Sequence, residues 1–161
     1  MKYAISIKLK ELGYIPYIIG TFYNFDSDIS FIKKHTNLRI IKNFSEIKTN
    51  DYEILMVNSD QTWRKKYLSI FYDFAFLCFA KNWKIYKFIY GASLGSSEWK
   101  FNKKDEKIAK DCLKNFKGIS MREKGAVKRI KKHLGIKSQF VLDPTFLISE
   151  NYYLNLINII K

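Results

Sequence analysis

Between Asp51 and Trp63 the chain runs apolar through Ile54, Leu55, Met56 and Val57, then breaks off in Asn58, Ser59, Asp60, Gln61 and Thr62. A short, uninterrupted and largely β-favouring run predicts a strand buried on both faces of a parallel sheet. The polar cluster then falls at the strand's carboxyl end, the edge at which open α/β sheets bind their ligands. This one stretch therefore points to an α/β domain and to the place where its chemistry would lie.

The same pattern recurs three times downstream. Ile85, Phe88, Ile89 and Tyr90 predict a second buried strand within 84–94, ending in the small-residue run Gly91, Ala92, Ser93, Leu94, Gly95, Ser96 and Ser97. Such a loop lets backbone N–H groups approach a ligand closely, although it lacks Walker or dinucleotide spacing and a plain turn fits equally well. Gly118 to Met121 predicts a third strand, delivering Arg122 and Glu123 to a helix start, where a guanidinium and exposed N–H groups both favour an anion. Gln139 to Leu142 predicts a fourth, closed by Asp143, Pro144 and Thr145, with the proline disfavouring helical geometry at Asp143.

Helices are expected between these strands. Asn102 can cap one running to about Phe116, with Ile108, Ala109, Cys112, Leu113 and Phe116 as its apolar stripe and its lysines facing out. A second, from about Glu123 to Leu134, carries Val127, Ile130 and Leu134 on one face and has Gly135 as its stop. Trp63 to Leu68 reads as a turn and Phe71 to Ala80 as an apolar segment of either type.

The amino-terminal part opens with a helical pattern over residues 2–12, stopped by Gly13, and then a strand over Tyr14 to Ile19. An α/β domain normally opens with a strand, so a first strand before this helix is missing from the expected order. Thr21 to Ser30 reads as a loop, Asp28 to His35 as a short helix, and Leu38 to Phe44 as an extended segment. His35 and His133 each lie among lysines and read as surface histidines. Ser149 to Ile160 predicts a last helix whose Tyr152, Tyr153, Leu156, Ile157, Ile159 and Ile160 need a partner surface. No repeat or linker divides the sequence, so a single domain over residues 1–161 is expected.

Composition narrows the function classes. The net charge of +14 would ordinarily suggest nucleic acid, but the basic residues are 25 Lys against 4 Arg, accompanied by 22 Ile. Arginine is the residue suited to bidentate phosphate and base contacts, and it is the scarce one, so the lysines read as solvated helix faces and no specific nucleic-acid partner is expected. No apolar run reaches the roughly 18–20 residues of a membrane helix and no signal-peptide pattern opens the chain, which predicts a cytoplasmic protein, free or peripheral at the inner membrane face. Cys78 and Cys112 sit among apolar neighbours without a CxxC pattern and are expected to be buried free thiols.

Four blocks in one order, DYEILMVNSDQTW, YGASLGSSEW, ISMREKGAVKRIKKHLG and FVLDPTFLI, resemble the polysaccharide pyruvyl transferase family over roughly residues 3–154. The resemblance implies a Rossmann-like three-layer domain with a mostly parallel sheet, like the amino-terminal half of a GT-B-like fold. It also implies transfer of a pyruvyl group from phosphoenolpyruvate to two hydroxyls of a sugar or glycan, giving a cyclic ketal and phosphate. Phosphoenolpyruvate is then the donor substrate, with no cofactor or metal implied. Arg122 matches the SxRE arginine associated with the donor. Ser59, Gln61, Ser93 and Gly95 fall at substrate-binding places, and Asp60 at one suited to orienting a sugar hydroxyl or acting as a base.

The departures from the family pattern are Asn58 for its glycine and Arg64 for its asparagine. The family's carboxyl-terminal half, which supplies a histidine, is expected from a complementary domain or chain. A non-catalytic remnant or ligand-binding domain is the alternative function, and a basic nucleic-acid-binding protein the weaker one. Trp63 fits a packing residue or a sugar platform equally well.

Overall fold

The computed structural model describes residues 4–20, 33, 36–58 and 61–160. The loop expected at Thr21 to Ser30, most of the helix expected at Asp28 to His35, and His35 itself lie outside the described residues, as do Ser59 and Asp60. The chain is organised as two compact units, Met1–Glu46 with Asp143–Lys161, and Ile47–Leu142.

In the first unit, helix α1 (Ala4–Glu11) buries Ala4, Ile5, Ser6 and Ile7. It ends as the glycine predicts. Gly13 sits at φ 86°, its N–H donates to Lys10 O, and Tyr14 N–H reaches back to Leu9 O at 3.0 Å, the paired bonds of a Schellman stop. Strand β1 (Tyr17–Gly20) pairs in parallel with β2 (Asn37–Ile40), Tyr17 opposite Asn37 and Gly20 opposite Ile40. The extended segment expected to reach Phe44 is therefore shorter, and Phe44–Glu46 is a 3-10 turn. Near the carboxyl terminus, Asp143 Oδ1 accepts from Thr145 N–H (3.1 Å) and Thr145 Oγ1 (2.9 Å), capping the 3-10 turn Pro144–Leu147. The last helix covers Glu150–Ile160, and its Tyr153 hydroxyl donates to Thr145 O.

The second unit repeats a strand–helix step three times. Its elements are β3 (Ile54–Val57), α2 (Lys65–Phe76), β4 (Tyr86–Ala92), α3 (Lys103–Leu113), β5 (Gly118–Met121), α4 (Lys124–Leu134) and β6 (Gln139–Phe140). The sheet order is β3-β4-β5-β6, parallel throughout. With each crossover taking the usual right-handed path in one direction along the sheet, the three helices belong on one face. The burial agrees, since Leu55, Val57, Ile89, Ile119 and Met121 form one core with Leu68, Phe76, Ala109, Leu113, Ala126 and Ile130.

Four local expectations change. First, β3 alternates: Leu55 and Val57 are buried, but Ile54 and Met56 are 39% and 36% exposed. The strand ends the sheet order among the described residues and has only one covered face, so an all-apolar run did not mean burial on both. Second, the turn after Trp63 is brief, because α2 begins at Lys65 and takes in most of the ambiguous apolar segment. Leu77 stops it in a left-handed conformation at φ 49°.

Third, Cys78 and Cys112 are not free thiols but a disulfide, joining the 3-10 turn Cys78–Ala80 to the inner face of α3 with Cα atoms 5.0 Å apart. The two lie 34 residues apart in sequence, and only the packing of α2's end against α3 brings them together. Fourth, Lys87 is fully buried in the middle of a strand. It points to the helix face, where its ammonium donates to Ala80 O (2.8 Å), Lys81 O (3.2 Å) and Trp83 O (3.1 Å). Burial lowers its pKa, and the three carbonyls are the partners a buried cation requires.

Candidate functional site

The carboxyl ends of β3, β4 and β5 lie side by side in the second unit, and backbone bonds tie their loops together. Trp63 N–H donates to Ser93 O (3.2 Å), and Arg122 N–H donates to Ala92 O (3.1 Å). The loop after β4 is thus held from both flanks, by the segment following β3 on one side and that following β5 on the other. Three of the four sequence blocks meet here.

Each block is built locally for this. The register of β4 against β5 shifts between Ile89 and Ala92, where Gly91 takes φ 61°. Such an irregularity takes an N–H out of the ladder. Ser120 Oγ replaces the lost partner, accepting from Gly91 N–H (3.0 Å) and donating to Ile89 O (3.1 Å). The serine of the SxRE block therefore fixes the carboxyl end of β4. Ser93 is 2% exposed and its hydroxyl accepts from Gly95 N–H at 3.0 Å, so it turns inward and shapes the loop.

Gly95 has a positive φ of 61°, and a Cβ there would come within 3.0 Å of Arg64 Cγ and Cδ. A residue with a side chain would meet both the left-handed backbone penalty and the arginine stem. Arg64 itself is held by Gln61, whose Oε1 accepts from Nη1 at 2.8 Å. Gln61 and Gly95 thus converge on Arg64, a residue marked in the sequence only as a departure from the family pattern.

Arg122 is placed as expected, one residue past β5 and at the entry to α4. Its side chain is 17% exposed and its Nε lies 3.5 Å from Glu123 Oε1. Glu123 is the residue before the first turn of α4, and its other oxygen, Oε2, is buried with no hydrogen-bond partner among the described residues. Arg129, on α4, reaches over to donate from Nη2 to Ser96 O (3.0 Å). Ser59 and Asp60 lie outside the described residues.

Trp63 is a packing residue. It is fully buried, its indole N–H donates to Ala75 O at 2.9 Å, and its ring meets Phe76 edge-on at 5.2 Å. One of the last carbonyls of α2, which a helix end leaves without an internal partner, is satisfied in this way.

Two polar clusters flank the edge without having been singled out in the sequence. Asp105 is wholly buried in the first turn of α3. Its carboxylate accepts from Lys65 Nζ, from Tyr72 OH and from Asn102 N–H (2.8 Å), the last completing a capping box with Asn102 Oδ1 and Asp105 N–H. Burial raises the carboxyl pKa, but the bonds from Lys65, Tyr72 and Asn102 outweigh it and hold the group below its ordinary value. Tyr72 shows the complement, pushed up to about 12 by burial and by the Asp105 carboxylate.

The second cluster joins Trp99, Glu106 and His133. The Trp99 N–H donates to Glu106 Oε1 (3.0 Å) and the imidazole of His133 stacks on the indole at 4.5 Å. His133, expected at the surface, is half-buried, with Nδ1 3.8 Å from Glu106 Oε1. The indole bond and Lys103 together lower the Glu106 pKa.

Among the described residues no group of three or more His, Cys, Asp or Glu side chains is placed to hold a metal ion. No helix among them is long and apolar enough to cross a membrane. No curated protein and no solved structure matches the chain. The family model for polysaccharide pyruvyl transferase matches residues 3–161, nearly the whole sequence and all four blocks. With its loop-bearing strand ends, its SxRE arginine and that match, the chain belongs to the polysaccharide pyruvyl transferase family.

Proposed function

We propose that this chain binds phosphoenolpyruvate at the carboxyl edge of the β3–β6 sheet and serves pyruvyl transfer to a pair of hydroxyls on a sugar. The observation that carries the reading is the pair of backbone bonds, Trp63 N–H to Ser93 O and Arg122 N–H to Ala92 O, which gather three family blocks at one edge. On this reading the second unit is the ligand-binding part of a Rossmann-like domain, the amino-terminal half of a GT-B-like fold. A complementary carboxyl-terminal domain, in the same or another polypeptide, faces the acceptor.

The chemistry sets the roles. The terminal enol carbon of the donor takes a proton, which leaves positive charge at the neighbouring carbon. One sugar oxygen bonds that carbon and loses its proton. The bond from the carbon to the phosphate's bridging oxygen then breaks, so that phosphate departs with that oxygen and the electron pair, and the second sugar oxygen bonds the carbon and loses its proton to close the ketal. Arg122 neutralises donor charge, since a planar guanidinium matches phosphate and carboxylate alike. Asp60 orients an acceptor hydroxyl or takes its proton, and Ser59 and Gln61 hydrogen-bond the reactants. Ser93 and Gly95 maintain the loop that frames them.

Calorimetric titration of the protein with phosphoenolpyruvate tests the assignment. Binding to the wild type and its loss in Arg122→Ala is expected. Equal binding by the two would remove Arg122 from the site.

A further inference from the structure

With 25 lysines to 4 arginines in the chain, arginine stands out wherever it occurs. Two of the four, Arg64 and Arg129, meet the segment Ala92–Ser96 with their side chains, and a third, Arg122, is tied to it through its backbone N–H. The stem of Arg64 lies along Gly95, the N–H of Arg122 bonds Ala92 O, and Arg129 Nη2 bonds Ser96 O. A Lys-rich composition explains positive charge at this edge, but not this choice of side chain. The property that separates arginine from lysine is a rigid fork of donors able to meet two oxygens at once.

The three are not equivalent. Arg129 supports the loop from the α4 side through a backbone carbonyl. Arg64 and Arg122 instead each approach a side-chain acceptor from their own loop, Gln61 Oε1 at 2.8 Å and Glu123 Oε1 at 3.5 Å. They enter from opposite flanks of β4, following the residues bonded to Ser93 O and preceding those of α4. Two strand spacings, about 10 Å, separate the backbones on the two flanks, a gap that two arginine side chains can span around one small ligand.

We propose that Arg64 is a second donor-binding residue: Arg122 takes one anionic group of the enolpyruvyl phosphate donor and Arg64 takes the other. The inference rests on the donor reading given above and adds to it a residue that stands where the family pattern has asparagine. The missing Cβ of Gly95 leaves the room in which the Arg64 stem lies along this loop.

The test is titration of the full chain with phosphoenolpyruvate, using wild type, Arg64→Met, Arg64→Lys and Arg122→Ala. Methionine keeps an unbranched stem against Gly95 and removes only the guanidinium. At an unchanged melting temperature, Arg64→Met is expected to bind at least tenfold more weakly, and Arg64→Lys, which retains charge without the fork, to recover only part of the loss. Binding by Arg64→Met within twofold of wild type, with Arg122→Ala defective, overturns the role of Arg64 and leaves the donor reading standing. Absence of binding by the wild type overturns both. If Arg64→Met fails to fold, the folded Arg64→Lys variant decides alone: a loss of threefold or more supports the role and wild-type affinity refutes it.

Discussion

Removing the Asp105 carboxylate should strongly destabilise the second unit. The residue is fully buried and accepts three hydrogen bonds, from Lys65, Tyr72 and the N–H of Asn102. Breaking a buried charged pair by deleting one partner costs about 3–5 kcal/mol. Lys65 can regain water, because about a third of its side chain is exposed (32%), which places Asp105→Ala near the lower end, at about 3–4 kcal/mol. Asp105→Asn retains the volume and one acceptor for the Asn102 N–H, and a loss of about 2 kcal/mol is expected.

Urea unfolding at neutral pH, followed by tryptophan fluorescence, measures both. A loss below about 1 kcal/mol in Asp105→Ala would show that the cluster does not hold α2 to α3. The acid limb gives an independent check on sign. The folded pKa of Asp105 is depressed below the ordinary 3.8, so its stabilisation is complete above that value and disappears as pH falls through the depressed one. The gap between wild type and Asp105→Asn should therefore narrow in strong acid, and a widening gap would contradict the assignment.

Two further outcomes follow from the same region. Cys112→Ser, or reduction of the wild type, opens a link spanning 34 residues and should lower stability by about 3–4 kcal/mol on the chain-entropy estimate, read as a fall in denaturation midpoint. Tyr72, with its pKa raised from 10.0 to about 12, contributes stability that is complete below pH 10 and is lost as pH rises through the folded value. Thermal melts should accordingly show a smaller alkaline loss between pH 10 and 12 for Tyr72→Phe than for wild type, and equal losses would rule out the raised pKa that burial and Asp105 give the hydroxyl.

Much of the candidate edge was legible because it depends on local pattern. Arg122 follows a recognisable strand and precedes a helix, and both boundaries were visible in the alternation of apolar runs with polar and glycine stops. Gln61, Ser93 and Gly95 were likewise placed in the loops after β3 and β4. What each side chain does there was not legible. Ser93 and Ser120 look alike as small polar residues at strand ends, yet the first bonds its own loop and the second repairs the β4 irregularity. Arg64 was visible as a departure, but its position along Gly95 depends on two loops meeting.

The sequence by itself determined the four strands of the second unit and its last two helices, the glycine stops at Gly13 and Gly135, the Asn102 cap and the family. All of these are properties of contiguous residues, set by backbone preference and by which faces are apolar. The tertiary structure alone decided that Cys78 meets Cys112, that Lys87 lies within the core, that Trp63 packs on α2, and that β3 is buried on one face only. Most of these turn on a neighbour distant in sequence, and Lys87 on the folding-back of the turn just before its strand, which aims the carbonyls of Ala80, Lys81 and Trp83 at its ammonium. A thiol, an ammonium or an indole takes its role from the partner that packing supplies, and a strand from what lies against its faces.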